Sequence, residues 1–244
     1  TTIMVKILQP TQYDADVSDE LRAHFSAFEY DLSPFQKHAI DGITSGHHTL
    51  SCVPTGSGKT LPALFAIDYF TKKGMRVIYT SPIKALSNQK YHEFSQKFPD
   101  VSVGLLTGDV KVNPGADVLI MTAEILQNAL ARADTNTQPD TPNIQSAFTS
   151  VSNKSVDPVF NLVIDETIGC VIQDEVHYIN DASRGHVWEN TIMMLPPYIQ
   201  MVMLSATLDS PERFASWIED VACSSPDVAQ KEVYLATSSH RPVP

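Results

Sequence analysis

Apolar residues in this chain gather in short runs that alternate, from about Thr49 onward, with longer segments of helical spacing. The runs at 49–53, 76–80, 101–106, 117–122, 169–173, 199–204 and 231–235 have the length and residue types of strands. Between them, 34–45, 60–73, 83–98, 123–132, 186–194 and 211–221 predict helices, with a shorter one at 19–28. Strand and helix in regular succession predict an α/β fold, with a mostly parallel central sheet and helices on both faces. Polar motifs stand at most of the strand exits, which is where open sheets of this kind bind ligands.

Two stretches break the pattern. Residues 1–29 read as a lead-in, extended and then briefly helical, and 133–158 turn to Asp, Thr, Asn, Gln, Pro and Ser, the composition of a mobile surface insertion without chemistry. The length of 244 residues suits one large α/β domain, and 43% hydrophobic with 18% charged residues is ordinary for a soluble globular protein. No run of about 18 apolar residues and no basic-then-apolar leader is present, so neither membrane insertion nor secretion is indicated. Cys52, Cys170 and Cys223 lack metal-ligand spacing and read as buried small hydrophobes in a reducing, intracellular compartment. A net charge of −11 argues against broad wrapping of a polyanion and leaves room for a local, backbone-tracking groove.

The most specific segment is Val53-Pro54-Thr55-Gly56-Ser57-Gly58-Lys59-Thr60, set between a strand and an apolar helix. Glycines let consecutive backbone N–H groups curl round phosphate oxygens, the next helix offers its positive end, and lysine reaches the outer phosphates. The segment therefore predicts a nucleoside triphosphate cradle of Thr55, Gly56, Ser57, Gly58, Lys59 and Thr60, with the Thr60 hydroxyl on Mg²⁺. Pro54 stands where the strict pattern has glycine.

Asp174-Glu175-Val176-His177 follows a second apolar run. Asp174 is suited to holding Mg²⁺ and Glu175, also near the metal, to orienting and deprotonating the attacking water, so Lys59, Asp174 and Glu175 are the candidate catalytic set. Asp165-Glu166-Thr167 is a competing acidic pair that reads more naturally as a polar turn. His177 has no second His or Cys at helical spacing, which disfavours a metal ligand and favours a contact linking the acids to Ser205-Ala206-Thr207 after the next strand, with Ser205 and Thr207 as the relaying hydroxyls.

These residues together resemble the superfamily 2 DExH-box helicases, closest to the superkiller and exosome-associated branch of RNA helicases. The resemblance spans about Tyr30 to Pro244. It rests on Thr80-Ser81-Pro82-Ile83-Lys84-Ala85-Leu86-Ser87-Asn88-Gln89-Lys90-Tyr91, Leu106-Thr107-Gly108-Asp109, Met121-Thr122-Ala123-Glu124-Ile125-Leu126, Asp174-Glu175-Val176-His177-Tyr178 and Arg184-Gly185-His186-Val187-Trp188-Glu189. It implies that 30–244 form the first RecA-like, ATP-binding domain of a longer protein, the second being absent after Arg241-Pro242-Val243-Pro244. It also implies that Gln36 reads the adenine edge while Tyr30 stacks on its face, the other reading of Tyr30 being a core aromatic. Pro82, Lys84, Ala85, Asn88, Thr107, Gly108, Thr122 and Glu124 would line a sequence-blind groove for one strand's backbone.

The implied activity is ATP-driven, Mg²⁺-dependent unwinding of RNA, 3′ to 5′, in the nucleus or cytoplasm, with single-stranded RNA and RNA-decay adaptor proteins as partners and no membrane. A DNA helicase of the same superfamily, acting on DNA, and a nucleotide-gated binding module without hydrolysis are the alternatives. Three departures stand out: Val53 in place of a small residue, Gln173 in place of an apolar one, and an insertion between Leu126 and Asp174 longer than usual.

Overall fold

The computed structural model describes residues 6–8, 12–13, 17–136, 162–222 and 231–237. Most of the 133–158 insertion, Cys223 and the Arg241 to Pro244 exit lie outside them.

Strands β1 (Lys6–Leu8), β2 (His48–Cys52), β3 (Arg76–Ser81), β4 (Val103–Leu106), β5 (Lys111–Val112), β6 (Val118–Thr122), β7 (Ile168–Gln173), β8 (Gln200–Ser205) and β9 (Val233–Thr237) form one sheet. Their order among the described residues is β1-β9-β2-β8-β7-β3-β6-β4-β5. Every pairing is parallel except that of β4 with the two-residue β5. The central strands β2, β7 and β8 are buried at every position, and β7 and β8 accordingly carry continuous apolar stretches, Cys170 to Ile172 and Met201 to Leu204, where a half-exposed strand would alternate.

Helices α1 (Asp19–Ser26), α2 (Pro34–Thr44), α3 (Leu61–Lys72), α4 (Lys84–Lys97), α5 (Ala123–Asn136), α6 (Gly185–Met194) and α7 (Pro211–Ala222) cover both faces. On one face Val77, Tyr79, Ile172, Val202 and Leu204 pack with Ile67 and Phe70 of α3 and Phe94 of α4. Their neighbours in sequence point the other way: Met201 and Met203 meet Trp188 and Ile192 of α6 and Ile218 of α7, and Ile78 and Val171 meet Leu126 and Leu130 of α5. Period-two alternation within each strand thus feeds two separate cores.

Because the strands run parallel, β2, β3, β6, β7 and β8 all deliver their C-terminal ends to one rim of the sheet. Gln200 at the opposite end of β8 donates its amide to the carbonyls of Gly42, Ile43 and His47, anchoring the end of α2 and so the helix that carries Gln36. The two cysteines described, Cys52 and Cys170, are buried in β2 and β7, and burial raises both thiols, Cys52 to about 12. Both are inert at neutral pH.

Candidate functional site

From Cys52 the chain turns through Val53 to Thr60 before α3 begins at Leu61. Val53 is fully buried with Phe35 and Ala236, so this departure from the resembled pattern packs without disturbing the strand. Gly56 and Gly58 hold left-handed backbone at φ 87° and 79°, a region that glycine enters without penalty. The N–H groups of Gly58, Lys59 and Thr60 donate to no acceptor among the described residues, and the buried Ser57 hydroxyl also has no partner there. Thr60 makes no side-chain cap on α3. Consecutive unpaired donors at a helix N-terminus form a concave anion site, and a polyphosphate fits it.

Gln36 is buried behind this loop. Its side-chain oxygen accepts from the Ser33 N–H at 2.9 Å and its amide nitrogen donates to the Gly58 carbonyl at 3.3 Å, so one side chain both starts α2 and steadies the cradle. A Cβ at Gly58 would lie 2.8 Å from that nitrogen. Gly58→Ala is therefore expected to lose about 2 kcal/mol of stability in urea unfolding, about half from left-handed strain and half from displacing Gln36. Gly46→Ala, at φ 81° with open space around it, carries the strain alone and serves as the comparison. Tyr30 is 59% exposed, which removes the core-aromatic reading. It lines a cavity of about 730 Å³ between α1, α3 and the end of α4, shared with Phe28, Leu61, Phe65 and Tyr69.

The acids sit across the crevice, at the exit of β7. The Asp174 N–H donates to the Thr80 carbonyl at 3.0 Å, carrying the ladder one residue past the strand. Its carboxylate accepts from the Tyr79 hydroxyl at 2.5 Å and from the Glu175 N–H at 2.9 Å. Burial pushes the Asp174 carboxyl above the usual range, with the Glu175 charge adding and the Tyr79 bond opposing. Tyr79 read in sequence as one more apolar strand residue; its hydroxyl contact to the acid is visible only in three dimensions.

Glu175 has φ 54°, left-handed backbone that costs a non-glycine residue on the order of 1–3 kcal/mol and clusters at functional sites. A short 3-10 helix, Val176–Asn180, follows at once. The turn brings the Glu175 carboxylate 2.7 Å from the Lys59 ammonium, so the cradle's cation and the second acid face one another across β8.

His177 reaches the same place. Its Nδ1 lies 3.3 Å from Glu175 Oε2 and 3.3 Å from the Ala206 N–H. The link to the segment after β8 is thus a backbone one: Ser205 is fully buried with its hydroxyl against the Cys52 thiol, and Thr207 is exposed. The competing pair resolves as a turn, with Asp165 accepting from the Thr167 N–H at 3.0 Å. Gln173 sits between Thr80 of β3 and Met203 of β8, buried, with neither amide atom bonded among the described residues, and β7 pairs regularly around it.

The strand-contact candidates gather at the ends of β3, β4 and β6. Lys84, Ala85 and Gly108 are exposed and Asn88, Thr122 and Glu124 half-buried. Pro82 and Thr107 are buried, behind the exposed residues of the same segments. The Pro82 carbonyl accepts from Arg184, and the Thr107 hydroxyl donates to Asp109 at 2.9 Å, so both act on neighbours. Asp109 also pairs with Lys84, which holds its carboxyl below the usual range. Ile83, at the N-cap of α4, offers no side-chain cap, leaving N-terminal N–H groups for an anion.

Arg184 belongs to one of the motifs quoted above, but motif reading gave it no role. It donates through Nε and Nη2 to Glu124 and through Nη2 to the Pro82 carbonyl, bridging the exits of β3 and β6. Among the described residues no cluster of three or more His, Cys, Asp or Glu could hold a metal by itself, and no helix is long and apolar enough to cross a membrane. Thr60 and Asp174, with phosphate oxygens and water, are the donor set a magnesium ion accepts.

Residues 33–214 match the profile of the DEAD/DEAH box helicase family. The chain is 38% identical over 218 residues to the antiviral helicase SKI2 of Saccharomyces cerevisiae, covering 89% of this chain and 14% of that protein. It is 37% identical over 226 residues to the DExH-box ATP-dependent RNA helicase DExH15, chloroplastic, of Arabidopsis thaliana, covering 93% of this chain and 16% of that one. Among solved structures, Mycobacterium smegmatis helicase Lhr bound to ssDNA and AMP-PNP superimposes with a TM-score of 0.58 at 27% identity, over 91% of this chain and 28% of Lhr. The chain thus spans about a seventh of the length of SKI2.

Proposed function

The chain belongs to the DEAD/DEAH box helicase family, and from that premise we propose that residues 30–244 are the first RecA-like motor domain of a longer ATP-dependent RNA helicase of the SKI2-like kind. The observation that carries this is the 2.7 Å meeting of Lys59 and Glu175 beside the buried Asp174.

Members of this family bind ATP. In the proposed mechanism Gly58, Lys59 and Thr60 offer their N–H groups to the phosphates, and the Lys59 ammonium exchanges Glu175 for the outer phosphate. Tyr30 stacks on the base, and Gln36, whose oxygen and NH₂ each keep one unused site, reads its edge. Thr60 and Asp174 would hold magnesium, with Glu175 nearby, and when bound the ion neutralises charge building on the transferred phosphoryl group. Glu175, freed from Lys59, orients the attacking water and takes its proton. His177 keeps the acid's position tied to Ala206.

The strand lies over the N-terminus of α4 and the ends of β4 and β6, contacted by Lys84, Ala85, Asn88, Gly108, Thr122 and Glu124, with Pro82 and Thr107 behind them. Backbone N–H groups supply much of that grip, which reconciles a strand partner with a net charge of −11. Arginines from a second RecA-like domain complete the transition-state site, so the 244-residue chain alone is expected to bind ATP weakly and hydrolyse it hardly at all. The proposed setting is intracellular, with unwinding 3′ to 5′ and RNA-decay adaptors as partners.

DNA as the strand is the second reading, favoured by the ssDNA held by Lhr. The deciding measurement is ATPase stimulation of the full-length polypeptide by oligouridine against oligodeoxythymidine. At least a tenfold preference for RNA is expected, and the opposite preference transfers the activity to DNA. A module that binds nucleotide without hydrolysis would show no stimulation by either, and the presence of Lys59, Thr60, Asp174 and Glu175 together speaks against it.

A further inference from the structure

We propose that Arg184 and Gly185 form the mechanical link through which an occupied strand groove acts on Glu175, Arg184 being a positioning residue that does not itself touch the strand. The inference rests on the functional reading above. It starts from three contacts made by one side chain: Nε and Nη2 to Glu124 at the start of α5, and Nη2 to the Pro82 carbonyl just ahead of α4. These two points follow the adjacent strands β6 and β3, so Arg184 fixes the spacing of the two walls of the groove. The guanidinium also lies over the buried Trp188 ring, 5.7 Å from its centroid, which gives the brace a rigid floor. A planar fork is needed for this, and a lysine ammonium cannot reproduce it.

The other end of the link is backbone. Asp181 accepts from the N–H groups of Ser183 and Arg184 at 2.9 Å each, and its carbonyl accepts from the Gly185 N–H at 2.8 Å, locking the turn that carries Arg184. Gly185 then lies directly against the 3-10 helix: a Cβ there would sit 2.1 Å from the Ile179 carbonyl oxygen. Glu175 immediately precedes that helix, and its φ of 54° makes it the strained joint at which a small displacement changes the direction of the carboxylate. The path from groove to acid therefore runs Glu124 and Pro82, Arg184, Gly185, Ile179, Glu175, joined in turn by hydrogen bonds, a peptide bond, a close backbone approach and the 3-10 helix. Glu124 neutralises Arg184, so the brace adds no net charge to the groove.

The test is the thermodynamic coupling between the two sites in the full-length polypeptide. The Kd of a fluorescein-labelled oligouridine is measured with and without saturating AMP-PNP and magnesium, and the ratio is the coupling factor. Couplings of this kind are about 5- to 150-fold. Arg184→Lys is expected to bring the factor to within about twofold of one, as is Gly185→Ala, through wedging the 3-10 helix off the turn. Should Gly185→Ala fail to fold, Arg184→Lys carries the test alone. The salt dependence of oligouridine binding is expected to keep its slope in Arg184→Lys and in Arg184→Gln. A slope smaller by about 0.7 in Arg184→Gln marks a lost phosphate contact and overturns the positioning role. A factor in Arg184→Lys equal to the parent's overturns the link and leaves the helicase reading standing. A factor of one in the parent overturns both.

Discussion

Glu175→Gln is expected to lower strand-stimulated ATP turnover of the full-length polypeptide by about 10²–10⁴-fold, the range for loss of a positioned general base. The substitution keeps the shape of the side chain and an oxygen to accept from Lys59 at the 2.7 Å position, so the cradle should hold its form. Affinity for a fluorescent ATP analogue is accordingly expected to stay within about threefold of the parent, while single-turnover hydrolysis collapses. A loss of affinity equal to the loss of turnover would make Glu175 a nucleotide-holding residue and remove it from proton transfer. The left-handed backbone at Glu175 gives a reason to expect the sharper outcome: the fold tolerates strain there to point one carboxylate at the cradle.

Asp174→Asn is expected to abolish turnover to a similar degree, about 10²–10³-fold, and at the same time to leave the metal-free protein as stable as the parent or more so. The sign follows from burial. A carboxyl whose folded pKa lies above its unfolded value, roughly 3.9, contributes stability that is fully present below the unfolded value and is lost as pH rises through the folded one. At neutral pH the ionised Asp174 therefore weighs against folding, and asparagine removes that charge. The new NH₂ can donate to the Tyr79 oxygen, and the loss of the Tyr79 O–H bond to the carboxylate limits the gain. The thermal melting difference, variant minus parent, is expected to be positive at pH 7 without metal. It should shrink as pH falls through the raised folded value and be gone below about 4, and it should shrink again on adding magnesium and nucleotide, which stabilise the parent. A variant that melts lower than the parent at pH 7 would show that the carboxylate is structurally needed.

Much of the fold was legible because its signals are local. Strands buried on both faces are rich in apolar and small residues, and β2, β3, β6, β7 and β8 fall within a residue or two of the ranges predicted for them. The glycine loop and the acidic pair announce themselves by residue type and context. What escaped notice depends on partners distant in sequence. The three residues of β1 form a strand only by pairing with β9, and the two of β5 only by turning back on β4. Arg184 finds Glu124 sixty positions away and Pro82 more than a hundred, and nothing in its own neighbourhood advertises either. Motif resemblance also names a segment without saying which of its residues faces out. Pro82 and Thr107 turned inward while Lys84 and Gly108 turned out. Where a contact through the hydroxyls of Ser205 and Thr207 was expected, His177 meets the N–H of Ala206, an atom every residue but proline possesses.

The parallel sheet has one further consequence. Helix α5 leads away from the working rim, and β7 returns toward it from the far side, so the polar stretch between them joins the fold at the opposite end from Lys59 and the acids. Extra length there leaves the spacing of the catalytic groups untouched. The end of α5 and the start of β7 stand at the pole opposite the catalytic groups, so Lys59, Asp174 and Glu175 keep their spacing whatever length of chain joins those two elements.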